Sequence, residues 1–185
     1  MKMAIRTKRW TRGDLARLPD DGNRYEVLDG ELFVTPQAAH DHQRVALLLA
    51  MALEPWCVAH GLGYVVGPGA LIWRQNELQP DVQVVPGRYE DLAGQEWKDL
   101  PRPLLVAEVL SDSTQRRDLG KKREAYQRVG IPTYWVVDID ERRVLAWTLA
   151  SPEPVVVTEV LVWRPKADVP ALEIPLASIL PKARG

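Results

Sequence analysis

The fold is decided by residues 104–138, which read LLVAEVLSDSTQRRDLGKKREAYQRVGIPTYWVVD. The run at 104–110 is the most apolar of the chain, as is typical of a strand that is covered on both faces. Turn and cap groups follow, and a basic helix is predicted at about 116–129, where Gly130 ends it. The β-branched and aromatic run at 133–138 predicts another strand.

Upstream patterns predict the other elements of this core. Asp29-Gly30 lies between two β-prone runs, which is a strong signal for a two-residue hairpin. Apolar residues recur at helical spacing from about residue 42 to 58, so a long helix is expected there. Further strands are predicted at 64–66, 70–73 and 81–85, with a turn at 76–80 and a long loop at 86–103. The predicted fold class is α/β (α+β with a mixed sheet), in the order helix, three strands, helix, strand, with flanking β-hairpins.

The chain has the length of one ordinary domain, 185 residues, and shows no internal repeat or linker. We expect residues 1–185 to form a single domain, with a core at 24–149 and a C-terminal β extension at 150–185. β-prone runs at 144–149 and 155–163 predict a hairpin that leads into this extension. The run at 155–163 is apolar enough to pair with a second copy across a two-fold axis, which raises the hypothesis of a homodimer.

Composition limits the classes of protein that fit. A formal net charge of -1 argues against a protein that coats nucleic acid through a broadly basic surface, because such binding is largely phosphate neutralisation. No run approaches the roughly 18 apolar residues of a membrane helix, so we expect a cytoplasmic protein with no membrane partner. The single cysteine, Cys57, excludes an internal disulfide and cannot form a zinc site alone.

Glu108 is the most informative residue, because it alone interrupts the apolar run at 104–110. A carboxylate within a buried strand costs several kcal/mol unless it is paired, hydrogen-bonded or bound to a metal. It is therefore either neutralised by an arginine, placed at a strand end, or functional. Asp81 follows Pro80 at the start of another apolar strand, as a turn residue or a second functional acid. If the two strands are neighbours, both carboxylates face one hard cation such as Mg²⁺.

The helix predicted after Glu108 has a distinctive polar face. Asp118, Lys122 and Tyr126 are spaced by four residues, which places them one above another. The alternative for Lys122 is a solvated residue that pairs with Asp118. Basic residues of this helix give it a positive field that attracts a phosphate backbone, or else serve only solubility. These residues are Arg116, Arg117, Lys121, Arg123 and Arg128.

These segments resemble the Uma-type restriction endonuclease family, within the PD-(D/E)XK nuclease superfamily. The resemblance covers about residues 24–149, and it is carried by several motifs in order. The motifs are Tyr25-Glu26-Val27-Leu28-Asp29-Gly30-Glu31, Pro36 through His42-Gln43, Pro80-Asp81-Val82, Glu108-Val109-Leu110-Ser111 with Ser113-Thr114, Asp118 with Lys122 and Tyr126, and Gly130-Ile131-Pro132-Thr133-Tyr134-Trp135-Val136-Val137-Asp138.

The resemblance implies a restriction-endonuclease-like core and a metal-dependent endonuclease that hydrolyses DNA phosphodiesters. Asp81 and Glu108 would be the ligands of Mg²⁺ or Mn²⁺. In this superfamily a lysine assists the attack of water, usually from two residues after the second acid. That position is Leu110 here, so Lys122 is the expected substitute. The supporting residues would be Glu26, His42 and Tyr126, and the nucleic-acid-binding residues Arg116, Arg117, Lys121 and Arg123.

Other interpretations stay open at this stage. His42 either positions a phosphate or water, or is one of the polar residues common near a helix start. Glu26 is a further acid of the site or a cross-strand partner in its hairpin. Because of Leu110, the chain is alternatively a catalytically degenerate nuclease-fold protein that binds nucleic acid or protein. A third interpretation is a metal hydrolase of small phosphoesters, which would need a nucleotide-sized pocket.

Overall fold

A computed structural model describes residues 8–111 and 115–182, apart from the side chain of Arg116. The Ser113-Thr114 motif and the predicted role of Arg116 lie outside these described residues. The α-helices are α1 (Arg12–Leu15), α2 (His40–Ala59), α3 (Tyr89–Leu92), α4 (Gln115–Arg117), α5 (Arg123–Arg128) and α6 (Leu176–Ile179), with a 3-10 turn at Trp97–Asp99 and a π-helical segment at Asp118–Lys122. The strands are β1 (Arg24–Leu28), β2 (Glu31–Thr35), β3 (Gly63–Val66), β4 (Leu71–Trp73), β5 (Asn76–Leu78), β6 (Val82–Pro86), β7 (Leu105–Val109), β8 (Thr133–Asp138), β9 (Arg143–Thr148), β10 (Val155–Val157), β11 (Val160–Trp163) and β12 (Leu172–Pro175).

A six-stranded mixed sheet forms the centre, in the order β10-β9-β8-β7-β6-β3. Strands β7 and β8 are parallel and joined by the helical stretch at 115–128, and the other neighbours are antiparallel. Both β7 and β8 are buried along their whole length, which explains why the runs at 104–110 and 133–138 are so apolar. The predicted α/β class and the order helix, strands, helix, strand are confirmed.

The two faces of this sheet pack against different layers. Leu105, Ala107 and Val109 face α2 and the C-terminal segment in one apolar core. Val106 faces α5 and part of a second sheet in another core. Because successive side chains of a strand alternate between its faces, Glu108 lies on the same face as Val106. The acid therefore points away from α2 and toward the helical stretch at 115–128.

The second sheet has four strands in the order β2-β1-β5-β4, and it corrects one prediction. The predicted turn at 76–80 begins with strand β5, which pairs with both β1 and β4. The sequence carries no strand signal here, because a residue such as Asn76 is typical of turns. In the structure Asn76 is buried, and its side-chain oxygen accepts a hydrogen bond from the backbone N–H of Asp29 at 2.8 Å. As a result β4 leaves the sheet of β3, although the two strands are close in sequence.

The C-terminal extension also departs from the prediction. The hairpin of β9 and β10 is present, but the run at 155–163 bends at 158–159 and continues as β11 in a separate two-stranded sheet with β12. Side chains of β11 alternate in burial. Leu161 and Trp163 pack in the apolar core with α2, while Val160 and Val162 stay exposed. Strand β10 is an edge strand of the central sheet, and β11 has one partner in its own sheet, so the predicted homodimer contact would involve either strand.

We propose that the extension and the core unfold as one domain, because Leu161 is 1% exposed and belongs to the same apolar core as α2. Replacing Leu161 by alanine should lower the free energy of unfolding by about 2–5 kcal/mol in a single transition. Urea unfolding followed by circular dichroism and tryptophan fluorescence would measure this.

The matched control is Val162→Ala, because Val162 is the next residue of β11 and is 55% exposed. Its cost should stay within about 0.5 kcal/mol. Two separate transitions in Leu161→Ala, or equal costs for the two variants, would contradict a shared core.

Candidate active site

Four acids from four segments meet beneath the central sheet, and we call them the acidic cluster: Glu26, Asp81, Glu108 and Asp118. All four are buried, with exposures between 0% and 6%. Glu26 comes from β1, Asp81 precedes β6, and Glu108 lies in β7. The pairing of Val82 with Ala107 sets Asp81 beside Glu108 on neighbouring antiparallel strands. The two acids that were predicted as a pair are therefore adjacent.

Lys122 is the cation at the centre of the acidic cluster. Its Nζ lies 2.8 Å from Oε1 of Glu108, 3.0 Å from Oε1 of Glu26 and 3.5 Å from Oδ1 of Asp118. The Lys122 side chain is fully buried, which contradicts the alternative of a solvated surface lysine. An ammonium has three donors, and three acidic side chains lie within 3.5 Å of this one.

The π-helical segment positions this lysine. Residues 118–122 form one wide turn between α4 and α5, and the buried residues of this turn are Asp118 and Lys122. A π turn holds more residues than an α turn, so it displaces side chains from the regular spacing of four. Such turns are rare in proteins as a whole, and many of those that occur lie at functional sites. Asp118, Lys122 and Tyr126 still reach the same cluster, as the sequence spacing indicated.

Glu108 is held by two donors on one oxygen. The Tyr126 hydroxyl donates to Glu108 Oε1 at 2.8 Å, beside the Lys122 ammonium. Burial, helped by the charges of Asp118, Asp81 and Glu26, raises the pKa of Glu108 to about 8, although Lys122 opposes the shift. Burial lowers the pKa of Lys122, but Glu108, Glu26 and Asp118 outweigh it and raise that pKa, so Lys122 is charged.

Asp81 is held as a carboxylate by other partners. Its Oδ1 accepts a hydrogen bond from Arg24 Nη1 at 2.9 Å, and its Oδ2 accepts the backbone N–H of Val109 at 2.9 Å. The Nε2 atom of buried His42 lies 3.2 Å from the same Oδ2. Burial alone would raise the pKa of Asp81, but His42, Arg24 and the Val109 amide lower it to about 2.

Glu26 completes the cluster from the second sheet. Its Oε1 accepts the backbone N–H of Gln79 at 2.8 Å, next to Lys122. Its Oε2 lies 3.4 Å from Arg117 Nη2 but accepts no hydrogen bond from the described residues. Burial raises the pKa of Glu26, but the charges of Lys122, Arg24 and Arg117 outweigh burial, so the net shift of this pKa is downward. One oxygen of Glu26 is thus available to another donor or to a cation.

The predicted nucleic-acid-binding residues are mostly engaged with protein groups. Arg117 contacts Glu26 and donates to the Thr35 hydroxyl at 3.0 Å. Lys121 pairs with Glu31. Arg123 Nη1 donates to Gln127 Oε1 at 3.0 Å, and its side chain is mostly covered.

Two cations of the site were missed in the sequence, Arg24 as a partner of Asp81 and Arg117 as a partner of Glu26. Arg24 did have a signal, because it lies two residues before Glu26 in β1 and therefore on the same face. Nothing in the sequence indicated that Arg117 contacts Glu26, since the π turn that follows Arg117 changes the helical spacing.

A cleft of about 670 Å³ leads from solvent to Asp81, the member of the acidic cluster that lines it. Arg24 and Asp81 form its inner end, and α2 forms one wall. The other lining residues are Gly22, Asn23, Pro36, Gln37, Ala38, His40, Gln43, Arg44, Ala46, Leu47, Ala50, Gly67, Pro68 and Gln79.

The donor chemistry of the cluster fits a hard divalent cation. Mg²⁺ commonly takes one or two carboxylates and completes its shell with water and substrate oxygens. Asp81 and Glu108 are adjacent, and Glu26 Oε2 has an oxygen without a hydrogen bond from the described residues. Within residues 8–111 and 115–182, no three histidine, cysteine or acid side chains stand in metal-binding geometry.

The raised pKa of Glu108 predicts a pH dependence of stability. In the folded protein Glu108 keeps its proton up to about pH 8, whereas its ordinary pKa is 4.5. Unfolding therefore releases a proton between these values, so the free energy of unfolding should fall as the pH rises through this window. Glu108→Gln cannot release that proton, and its profile should be flatter by several kcal/mol. Urea unfolding at a series of pH values measures both profiles.

Glu153→Gln serves as the control, because Glu153 is exposed and should keep the wild-type slope. Parallel profiles for wild type and Glu108→Gln would mean that Glu108 is ionised in the folded protein.

Comparison with known proteins assigns the chain to a family. Residues 13–177 match Uma2, described as "Putative restriction endonuclease". A crystal structure of a putative nuclease belonging to DUF820 from Anabaena variabilis matches with a TM-score of 0.73 and 14% sequence identity, over 91% of this chain and 96% of that one. At this identity the match shows a shared fold. A comparison with curated proteins finds no match. Since the family covers most of its length, the chain belongs to the Uma2 family of putative restriction endonucleases.

Proposed function

We propose that this nuclease-like protein is a metal-dependent endonuclease that hydrolyses DNA phosphodiesters. The observation that carries the proposal is the position of Lys122, whose ammonium lies 2.8 Å from Glu108 and reaches the cluster that contains Asp81. The usual lysine position is Leu110, which packs in an apolar core. The position of Lys122 beside Glu108 supports a role for it in place of that missing lysine. The family and the shared fold support the same class of activity.

Asp81 and Glu108 would hold Mg²⁺ or Mn²⁺ in this proposal, and Glu108 would release its proton when the ion binds. The bound ion would lower the pKa of a water molecule and stabilise negative charge on the phosphoryl oxygens. The chain's own groups prepare the ligands. The Val109 amide and His42 fix Oδ2 of Asp81, while Tyr126 and Lys122 fix Oε1 of Glu108. Fixed ligands cost little reorganisation when charge develops, which is the main source of electrostatic catalysis.

Lys122 would stabilise the additional negative charge of the transition state. A buried ammonium acts in a medium of low dielectric, where its effect on nearby charge is larger than in water. Glu26 and Tyr126 would act as positioning residues, Glu26 by holding the ammonium and Tyr126 by holding the carboxylate beside it. His42 would orient Asp81.

The catalytically degenerate alternative also has an observation in its favour. Arg24 and His42 occupy the oxygens of Asp81, and Lys122 occupies an oxygen of both Glu26 and Glu108. The described charges therefore satisfy one another largely without an ion. A protein of this kind would bind nucleic acid or a protein partner and would not cleave.

Nicking of supercoiled plasmid with Mg²⁺ or Mn²⁺ tests the proposal. Wild type should convert the plasmid to open circles, and EDTA should abolish the reaction. Asp81→Asn should lower the rate by about 100-fold or more, because it removes a charged ligand from the reacting centre.

The matched control is Glu77→Gln. Glu77 is a partly buried acid of β5 that faces Arg12 outside the acidic cluster, so its variant should nick at the wild-type rate. Equal nicking by wild type and Asp81→Asn would reject this site. Metal-independent binding without nicking would favour the degenerate alternative.

A further inference from the structure

The cleft that leads to Asp81 has the size of a small-ligand site. Its volume of about 670 Å³ falls in the range of roughly 300–1,000 Å³ that is usual for pockets holding one small molecule. The major groove of duplex DNA is about 12 Å wide, and a protein that follows a duplex needs a broad surface along both backbones. A cleft of this volume suits a single nucleotide better than a double helix.

One wall of the cleft is apolar. Ala46, Leu47 and Ala50 of α2 line it, and Leu47 is 51% exposed. The exposed side chain of Leu47 gives this wall an apolar surface that can be covered by a ligand. Enzymes that take a base out of its stack hold its ring between aromatic or apolar side chains. The α2 wall therefore offers contact to the face of an unstacked base.

Positive charge stands at the same cleft. Arg44 of α2 lines it, is exposed, and makes no ion pair with any residue that the structure describes. Arg24 also lines the cleft and is paired there with Asp81. The helix cations Arg117, Lys121 and Arg128 are paired with acids as well. Among these residues, Arg44 is the cation available to a phosphate at the cleft.

We propose that this cleft binds one unpaired nucleotide of a DNA strand, with the base against Leu47 and the backbone phosphates near Arg44 and Arg24. The substrate class would then be single-stranded or locally melted DNA. This inference rests on the proposed function, because it assigns the substrate of the same site. Its three supports are the volume of the cleft, its apolar wall and its charge.

Fluorescence anisotropy with a labelled single strand, and with the same strand in a duplex, tests the inference. Both titrations are made in EDTA, so binding is measured without hydrolysis. The wild type should bind the single strand about tenfold or more tightly than the duplex, since base contacts are formed only by the unpaired strand.

Leu47→Asp should weaken binding of the single strand by about tenfold, because it removes an apolar contact and adds a charge that repels phosphate. The matched control is Met51→Asp. Met51 lies one turn further along α2, is 59% exposed and does not line the cleft, so its affinity should stay within about twofold of wild type. Equal effects of the two substitutions would overturn the assignment of the α2 wall.

A third arm adds free deoxyadenosine monophosphate as a competitor. If it binds as tightly as the strand, the cleft serves a small phosphoester and the inference is wrong. Equal affinity for duplex and single strand would also overturn it, as would no binding of either. Selective binding of the single strand together with an absence of plasmid nicking would reject catalysis and keep the binding site. Nicking by a protein that binds both DNA forms equally would keep catalysis and reject the proposed nucleotide site.

Discussion

The ammonium of Lys122 holds the two sheets of this protein together around the site. It contacts Glu108 of the central sheet, Glu26 of the second sheet and Asp118 of its own helical stretch. Charges removed from water cost several kcal/mol each, and only close partners of opposite sign return that cost. Without Lys122 the carboxylates would be buried beside one another without their central cation. The packing of β1 against the central sheet thus depends on an interaction that also defines the site.

Much of this arrangement was predictable from the sequence, because burial leaves a clear mark on strands. The apolar run around Glu108 indicated a covered strand, and a lone acid within it indicated a buried partner. Asp29-Gly30 predicted the hairpin that carries Glu26, and both residues have positive φ as such a turn requires. The spacing of Asp118, Lys122 and Tyr126 indicated that they lie on one face of the helix.

The features that were missed depend on contacts between distant segments. Strand β5 consists of Asn76, Glu77 and Leu78, and its pairing with the distant β1 has no local signal. The π turn at Asp118–Lys122 departs from regular helical spacing, and the sequence pattern showed no sign of it. The ion pairs of Arg117 and Lys121 join residues more than 80 positions apart, so a helix read by itself resembles a free basic surface.

The acidic cluster is gathered from positions 26, 81, 108 and 118, and its lysine from position 122, so a long stretch of the chain separates Glu26 from these partners. A protein emerging from the ribosome in order of its sequence would expose Glu26 and Asp81 long before the helical stretch at 115–128 is available to join them. Until then the early acids have neither their lysine nor their neighbouring strand. The cluster is therefore completed only when the second half of the chain closes over the first.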